Sequence, residues 1–464
     1  MSSLHRSQPK LTTEIQRWRD EWISRQGGER LLRVRWLLNP EEAALQNVCV
    51  REQGGTLLDI RPCSTSELTN VLPVVLIPPL VNAHTHLEFS ALTEPLEPAL
   101  PFQSWIQSLM KWRGSNGATQ AESIRNGFAE SVDFGIGLIG EISTNDNVSL
   151  LSNQQLSNQQ LPNQQLPNQQ LPNQQLPNQQ TSCVAFRELI GLGTARVQQQ
   201  LELAESFLTA VPVAGVHRAL SPHAPYTVHP DLLEQTVALA NKHQVPLAMH
   251  LAETTDELEL LESGTGRFQT FLSSMGLFDP KLFPGGRCIL DLLKALSSAP
   301  KVLAVHGNYF TDDDVSFLSR HRNITTVYCP RTHHFFGHTP HPFRKLLTAG
   351  CRVVLGTDSR ASNPDLSIWR ELQHVARVAS ELSPGQLLAM ITTHAAEAMQ
   401  CETARFQIRQ HHHFSPLFLL TENASKELSE LIRDPSTVPW NPSLGQTSNI
   451  LPPRQEFSGR SNEE

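Results

Sequence analysis

The sequence lacks three features that would indicate particular classes of protein. It has no run of about 18 apolar residues, so a membrane-spanning helix is not expected. Basic residues are not in excess: 37 lysines and arginines stand against 45 acidic residues, giving a formal net charge of −8, which does not favour binding to nucleic acid. The seven cysteines are scattered and form no C-x-x-C pair, so neither a disulfide framework nor a cysteine zinc site is expected.

These absences fit a protein that acts on a small molecule inside the cell. The first residues, MSSLHRSQPKLTTEIQRWRDEW, have no apolar core and do not look like a secretory signal. Together with the cysteine pattern they predict a reducing, cytoplasmic location. The expected partner is a small-molecule substrate, with no part for nucleic acid or a membrane.

Residues 74–400 alternate short apolar runs with amphipathic stretches such as PDLLEQTVALANKHQ. The runs are VVLIPPLVNAHTH, GIGLIGEIS, CVAFRELIGL, VHRALSPHAP, VPLAMHLAE, VLAVHGN, ITTVYCP and RVVLGTDS. Eight buried strands that alternate with helices predict an α/β fold, a (β/α)₈ barrel of the TIM type.

The barrel is flanked and interrupted by segments of other kinds. Residues 1–73 contain LLRVRWLL and NVCVREQGGTLLDIRP around a Gly-Gly turn, which predicts a small β unit. Residues 151–180 are six copies of the pentapeptide L-[SP]-N-Q-Q, whose period matches neither helix nor strand. This repeat is either an association segment or a neutral expansion of a surface loop; we favour the expansion, because loop entropy rises slowly with length. Residues 401–464 predict an irregular tail.

Several strand ends carry side chains that can bind a metal. His84 and His86 are one residue apart and face the same side of a strand. Alone they could equally be hydrogen-bonded strand-end histidines. His250, His306 and Asp358, however, also stand where apolar strands end, and active sites of such barrels lie at that edge. Imidazoles with one carboxylate suit zinc or a similar ion, so the pattern favours a metal site.

The order of motifs in residues 74–400 resembles a known superfamily. NAHTHLEFS, SPHAPYTV, MHLAE, VLAVHGN, VYCPRTHHFFGH and GTDSRASNPDLSIWRELQ are similar to the metal-dependent amidohydrolases, most of all to their deaminase and chlorohydrolase branch. Within that branch, the combination resembles the aminodeoxyfutalosine deaminase-like proteins, which act on an adenine-type nucleoside. The resemblance leaves self-association into homo-oligomers open, since oligomers are common in the superfamily.

The resemblance implies a role for each strand-end residue. His84, His86, His250 and Asp358 become ligands of one divalent metal ion, zinc or iron. Glu253 becomes the group that transfers protons to the substrate, and its alternative is a carboxylate opposing a helix dipole. His306 assists the attacking water, and Asp358 accepts a proton from it. The fourth strand, VHRALSPHAPYTV, has no lysine to bridge a second metal, so a site with one metal follows.

The implied reaction is deamination of a purine- or nucleoside-like substrate. A chlorohydrolase or another hydrolytic relative uses similar machinery and stays open as an alternative. A third interpretation is a catalytically decayed association protein organised by the repeat. It draws support from the tail, which has no stretch like the G-x-L-x-x-G-x-x-A-D of relatives, so the N-terminal sheet is expected to be incomplete.

Four further residues are expected to contact substrate, each with a structural alternative. Glu88 follows His86 by two residues and could accept hydrogen bonds from hydroxyl groups, or form a salt bridge. His223 matches a position near the substrate in related enzymes, or is a hydrogen-bonded strand-end histidine. Arg331 and His333 follow the seventh strand, where guanine deaminases usually have Ser-Asn, which argues against guanine as the substrate.

Overall fold

The computed structural model describes residues 28–115, 120–146, 148–152, 181–420 and 427–441. Within the barrel region, the pentapeptide repeat lies outside these residues from position 153 onward, so the two interpretations of it stay predictions. Among the described residues, no helix is long and apolar enough to cross a membrane.

The N-terminal strands form a small mixed sheet. They are β1 (Glu29–Leu37), β2 (Leu45–Gln53), β3 (Thr56–Pro62) and β4 (Leu72–Ile77). β1 pairs antiparallel with β2 and parallel with β4, and β2 pairs antiparallel with β3 through the Gly54-Gly55 turn. The predicted β unit is therefore present, and its last strand extends beyond residue 73.

Eight parallel strands form the predicted barrel. They are β5 (Leu80–Thr85), β6 (Ile136–Ser143), β7 (Ser182–Leu189), β8 (Val216–Pro222), β9 (Leu247–Leu251), β10 (Val302–His306), β11 (Ile324–Tyr328) and β12 (Val353–Leu355). The strands are neighbours in chain order, and a parallel bridge between Thr85 and Asp358 brings the last strand end to the first. This nearly closed barrel confirms the predicted TIM-like fold. The first apolar run, however, supplies two strands, because Pro78 and Pro79 separate β4 from β5.

Helices follow most of the strands and cover the barrel. Among the described residues, the α-helices are Phe102–Ser115, Gln120–Asp133, Thr194–Thr209, Pro230–His243, Thr255–Ser263, Arg267–Ser274, Ile289–Leu296, Asp312–Arg320, Pro330–Phe335, Phe343–Thr348, Ile368–Val378, Pro384–Met390, Thr393–Ala398 and Leu428–Arg433. Short 3₁₀ turns occupy Leu68–Asn70, Leu87–Phe89, Val148–Leu151 and Ala404–Phe406. One apolar cluster fills the barrel interior, and a larger one lies between the strands and the helices.

The expectation of an irregular tail and an incomplete sheet is wrong for part of the tail. β13 (Leu417–Leu420) pairs antiparallel with β4, and β14 (Val438–Trp440) pairs antiparallel with β13. The small sheet therefore has six strands, in the order β14-β13-β4-β1-β2-β3. Because β13 is buried on both faces, its sequence LFLL shows no alternation of polar and apolar residues that would reveal a strand. The division of the chain into domains at residues 73 and 400 stays a prediction.

Candidate metal centre and active site

His84 and His86 stand at the carboxyl end of β5, and both rings reach the barrel mouth. Strand geometry places them on the same side, with Thr85 turned toward the neighbouring strand end. The amide oxygen of Asn82 accepts hydrogen bonds from the backbone N–H groups of His84 and Thr357, which ties β5 to the segment after β12. Asp358 follows in that segment, and its Oδ1 atom lies 3.6 Å from Nε2 of each histidine.

His250 joins this pair from β9. Its Nε2 atom lies 3.4 Å from Nε2 of His86, and its Nδ1 atom lies 2.9 Å from the carbonyl oxygen of His223. In the neutral ring, Nδ1–H donates to that carbonyl, so the lone pair of Nε2 points toward the other histidines. An imidazole held in this way is oriented for metal binding.

His306 and Glu253 form the other side of the cluster. His306 ends β10, and its Nε2 atom is 3.4 Å from Oε1 of Glu253. His306 and Asp358 have positive φ angles of 70° and 56°, in the left-handed region that ordinary residues rarely adopt. Such backbone conformations cost free energy and cluster at functional sites. The Nε2 atom of His341 lies 2.8 Å from the carbonyl oxygen of His306 and helps to hold this conformation.

The donor set fits a divalent metal ion. Two groups of ligand atoms lie within 4.8 Å of one another, namely His84 with His250 and His306, and His84 with His86 and Asp358. Nε2 of His84 is buried and makes no hydrogen bond to a described residue. A buried polar atom left without a partner is costly, and a bound cation would satisfy it. These five residues therefore form a metal site.

The surroundings of His86, His250 and His306 favour their neutral imidazoles. Burial lowers the pKa of His86, His250 and His306 well below 6.5, and the neighbouring histidines lower it further. A neutral imidazole is the form that binds a metal.

Glu253 is held in place by its own loop. Its backbone N–H and that of Ala252 donate to the two carboxylate oxygens of Glu257, each at 2.9 Å. The side-chain amide of Asn308 donates to the carbonyl oxygen of Glu253, also at 2.9 Å. Burial raises the pKa of Glu253 well above 4.5, and the charges of Asp358 and Glu257 raise it further. This shift favours the protonated form of Glu253, which is the form that can donate a proton.

A cavity of about 360 Å³ opens beside the cluster, and His86, His250, Glu253, His306 and Asp358 all contribute to its lining. Apolar side chains form most of the remaining wall, among them Phe89, Phe102, Trp105, Leu192, Tyr226, Phe271 and Leu272. A largely apolar wall with a few convergent polar groups is typical of sites that bind small molecules.

Of the predicted substrate contacts, His223 lies in this cavity and Glu88 lies next to it. Nδ1 of His223 is 2.7 Å from the hydroxyl of Thr227, and the ring borders the cavity. Glu88 lines an adjoining cavity of about 390 Å³, where its carboxylate accepts hydrogen bonds from Arg113, at 2.5 Å, and from Gln120. The salt bridge that was the alternative for Glu88 is thus present.

Arg331 and His333 do not reach either cavity. The guanidinium of Arg331 donates to Glu371 and Asp365, at 2.6 and 2.8 Å, and Nε2 of His333 lies 2.8 Å from the carbonyl oxygen of Thr339. Pro330 begins a short helix directly after β11, and this helix directs Arg331 toward the helix Ile368–Val378. Both side chains hold the barrel mouth together rather than face the cluster.

Glu188 was missed by the reasoning from sequence. It stands near the carboxyl end of β7, is 9% exposed and lines both cavities. Burial raises its pKa, while the charges of Arg113 and Arg187 oppose the shift. Its position at a strand end is the same signal that identified His250 and His306, but no neighbouring motif drew attention to it.

Comparison with known proteins agrees with this geometry. The model of the amidohydrolase family matches residues 75–404, about 70% of the chain. The chain belongs to the amidohydrolase family. This amidohydrolase is 26% identical over 342 residues to a 5-methylthioadenosine/S-adenosylhomocysteine deaminase of Pyrococcus furiosus, with 70% of each chain covered. It is 27% identical over 331 residues to an aminodeoxyfutalosine deaminase of Deinococcus radiodurans, with 68% of this chain and 71% of that protein covered.

The fold of this amidohydrolase also matches solved structures. An adenosine deaminase from Xanthomonas campestris with bound zinc superposes with a TM-score of 0.64 at 19% identity, covering 89% of this chain and 91% of that one. Together with the metal cluster, the matches confirm the predicted family, its deaminase branch and the class of carbon–nitrogen hydrolases.

Proposed function

We propose that this amidohydrolase removes the amino group of an adenine-type nucleoside, using one divalent metal ion. The observation that carries the proposal is the position of Glu253, a buried acid whose Oε1 atom lies 3.4 Å from His306 inside the cavity that borders the metal cluster. The relatives named above support the choice of substrate, because one is named as a deaminase of 5-methylthioadenosine and S-adenosylhomocysteine and another as an adenosine deaminase.

The ligands we propose are His84, His86, His250 and Asp358, which include both members of the H-x-H pair. Zinc is the metal we favour, because the similar adenosine deaminase structure contains it, and iron is the alternative. When bound, such an ion activates water as a nucleophile at neutral pH.

Glu253 supplies the proton that makes the substrate reactive. It donates its proton to the ring nitrogen next to the amine-bearing carbon while the oxygen of water adds to that carbon. Asp358 accepts the proton that the water gives up, and the hydroxyl of Ser362, 3.2 Å from Oδ2 of Asp358, steadies its carboxylate. The proton held by Asp358 passes to the amino group, the carbon–nitrogen bond breaks and ammonia leaves. The hydroxyl on the same carbon gives its proton to Glu253, so a carbonyl remains on the ring and Glu253 is protonated again.

His306 and His223 complete the site in this proposal. His306 lies beside Glu253 and can hydrogen-bond the attacking water, as the sequence predicts for it. His223 borders the same cavity and is within reach of a bound nucleoside. Glu88, whose carboxylate is already paired with Arg113 and Gln120, has no part in the proposed substrate contacts, and neither have Arg331 and His333.

The direct test is a screen for released ammonia. Zinc-loaded protein is incubated with adenosine, 5′-methylthioadenosine, S-adenosylhomocysteine and aminodeoxyfutalosine, and ammonia is measured by an enzyme-coupled assay. Ammonia from at least one of them is expected. Chloride from a chlorinated heterocycle in place of ammonia would favour the chlorohydrolase alternative. If the protein binds metal and releases neither product, the decayed association protein becomes the better interpretation.

A cytoplasmic location and self-association remain proposals from the sequence and from the resemblance.

A further inference from the structure

The cavity that reaches the metal cluster continues into a second, more polar cavity. Both are lined by Arg113, Glu188, Ile190 and Arg196, so the two spaces meet at these residues. The second cavity adds polar side chains, namely Glu88, Gln120, Thr144, Arg187 and Gln200. A molecule whose reacting end lies at the cluster would therefore pass Glu188 on its way outward.

The carboxylate of Glu188 makes no hydrogen bond to any described residue. Its nearest basic neighbour is His223, whose Nε2 atom is 3.8 Å from Oε1, beyond hydrogen-bond distance. The residue is nine-tenths buried, and it lines both cavities. A buried carboxylate without donors is costly. Donors from an occupant of the cavity would remove that cost.

Glu88 offers a contrast only a short distance away. It is more deeply buried, but its oxygens accept hydrogen bonds from Arg113, Gln120 and Thr144, at 2.5, 2.9 and 3.2 Å. Its acceptors are therefore already occupied by the protein. The two carboxylates border the same polar cavity and differ in whether a donor is present, so Glu88 is a matched control for Glu188.

We propose that Glu188 accepts hydrogen bonds from the neighbouring 2′- and 3′-hydroxyl groups of the substrate's ribose, and that this contact selects ribonucleosides over deoxynucleosides. The inference rests on the proposed function, because it assumes that the base of a nucleoside lies at the cluster. The sugar of that nucleoside then lies one ring further out, at the junction of the two cavities. A carboxylate has two oxygens, which match two adjacent hydroxyl donors.

The test measures binding, separately from turnover. In the Glu253→Gln background, where deamination is expected to be at least about a hundredfold slower, the zinc-loaded protein is titrated calorimetrically with adenosine and with 2′-deoxyadenosine. Loss of the hydroxyl is expected to raise the dissociation constant by about tenfold to a hundredfold, the range for a hydrogen bond to a charged group. Adding Glu188→Gln should reduce this ratio to about threefold or less. Adding Glu88→Gln should leave the ratio unchanged.

A conservative variant separates a sugar contact from a merely structural role. Glu188→Asp keeps both acceptor oxygens on a shorter side chain and should retain part of the discrimination, with metal content and unfolding midpoint like those of the parent. The proposal would be overturned if the ratio of the dissociation constants of 2′-deoxyadenosine and adenosine were the same with and without Glu188→Gln. A ratio near one in the parent protein would overturn it as well.

Ammonia release by the protein with Glu253 intact distinguishes a failure of the role proposed for Glu188 from a failure of the proposed function. Release from adenosine without any discrimination between the two sugars would overturn the role of Glu188 and leave the proposed function standing. Discrimination that depends on Glu188 but occurs without ammonia release would support the role of Glu188 and overturn the proposed function. If neither nucleoside binds, the inference fails as well.

Discussion

The backbone N–H of Asp358 donates a hydrogen bond to the carbonyl oxygen of His84, at 3.1 Å. This contact joins the end of the last barrel strand to the end of the first, next to the bridge between Thr85 and Asp358. It therefore brings the strands together and positions two metal-site residues at once. The metal cluster is built on the seam of the barrel, so the pairing of the first and last strands fixes the backbone positions of both residues.

Replacing a histidine of this seam should remove the metal. His84→Ala takes away a buried donor atom that makes no other hydrogen bond among the described residues. Metal content, measured by plasma mass spectrometry, should fall from about one equivalent to almost none. His217→Ala is the control, because His217 is exposed on β8, away from the cluster. Full metal content in the His84 variant would mean that the cluster is not the metal site.

Replacing the proposed acid should affect turnover but not metal. Glu253→Gln keeps the size of the side chain but removes the transferable proton, so kcat is expected to fall by about a hundredfold to ten-thousandfold. The metal should remain, since Glu253 is not among the proposed ligands. Glu259→Gln, an exposed carboxylate on the following helix, should behave like the wild type. If the Glu253 variant kept full activity, the proton must come from another group.

The histidine environment predicts how metal affinity varies with pH. Protons compete with metal only below the pKa of the ligand in the folded, metal-free protein. Burial lowers that pKa well below 6.5 for His86 and His250. Proton competition at these histidines should therefore stay absent as pH falls from 8 to about 6.5, and should weaken zinc binding only at clearly lower pH. Competition for zinc between the protein and a zinc-binding dye, repeated across this pH range, measures the zinc affinity. Affinity that already falls in proportion to proton concentration near pH 7 would contradict this.

The barrel and the residues of its metal site were predictable, because apolar runs recur along the chain and metal-binding side chains stand at the ends of several of them. Each of the eight apolar runs gave one barrel strand, and the polar residues that end these strands met at one edge, since parallel strands present the same end to the same side. His250, His306 and Asp358 lie far apart in the sequence, yet the topology alone predicts their proximity. Their distances and the loop held by Glu257 could not be predicted, because hydrogen bonds such as those to Ala252 and Glu253 follow from local turns.

The features that the sequence pattern did not reveal have equally specific causes. Arg331 and His333 follow a strand end, but the helix that begins at Pro330 turns them toward other elements, and the strand pattern contains no information about that turn. Glu188 stands at a strand end without a conspicuous partner. β13 and β14 have only four and three residues, and short buried strands carry no polar alternation.

The C-terminal strands should contribute measurably to stability. Phe418 in β13 is fully buried between its register partners Leu76 of β4 and Trp440 of β14. Phe418→Ala leaves a cavity at this point, and the expected loss is about 3–5 kcal/mol of unfolding free energy. Denaturant unfolding followed by circular dichroism measures this loss of unfolding free energy. The control is His412→Ala, because His412 is an exposed residue of the segment before β13. A Phe418→Ala variant as stable as the control would mean that the tail does not pack on β4 in solution. The incomplete N-terminal sheet that the sequence predicts would then be the better description.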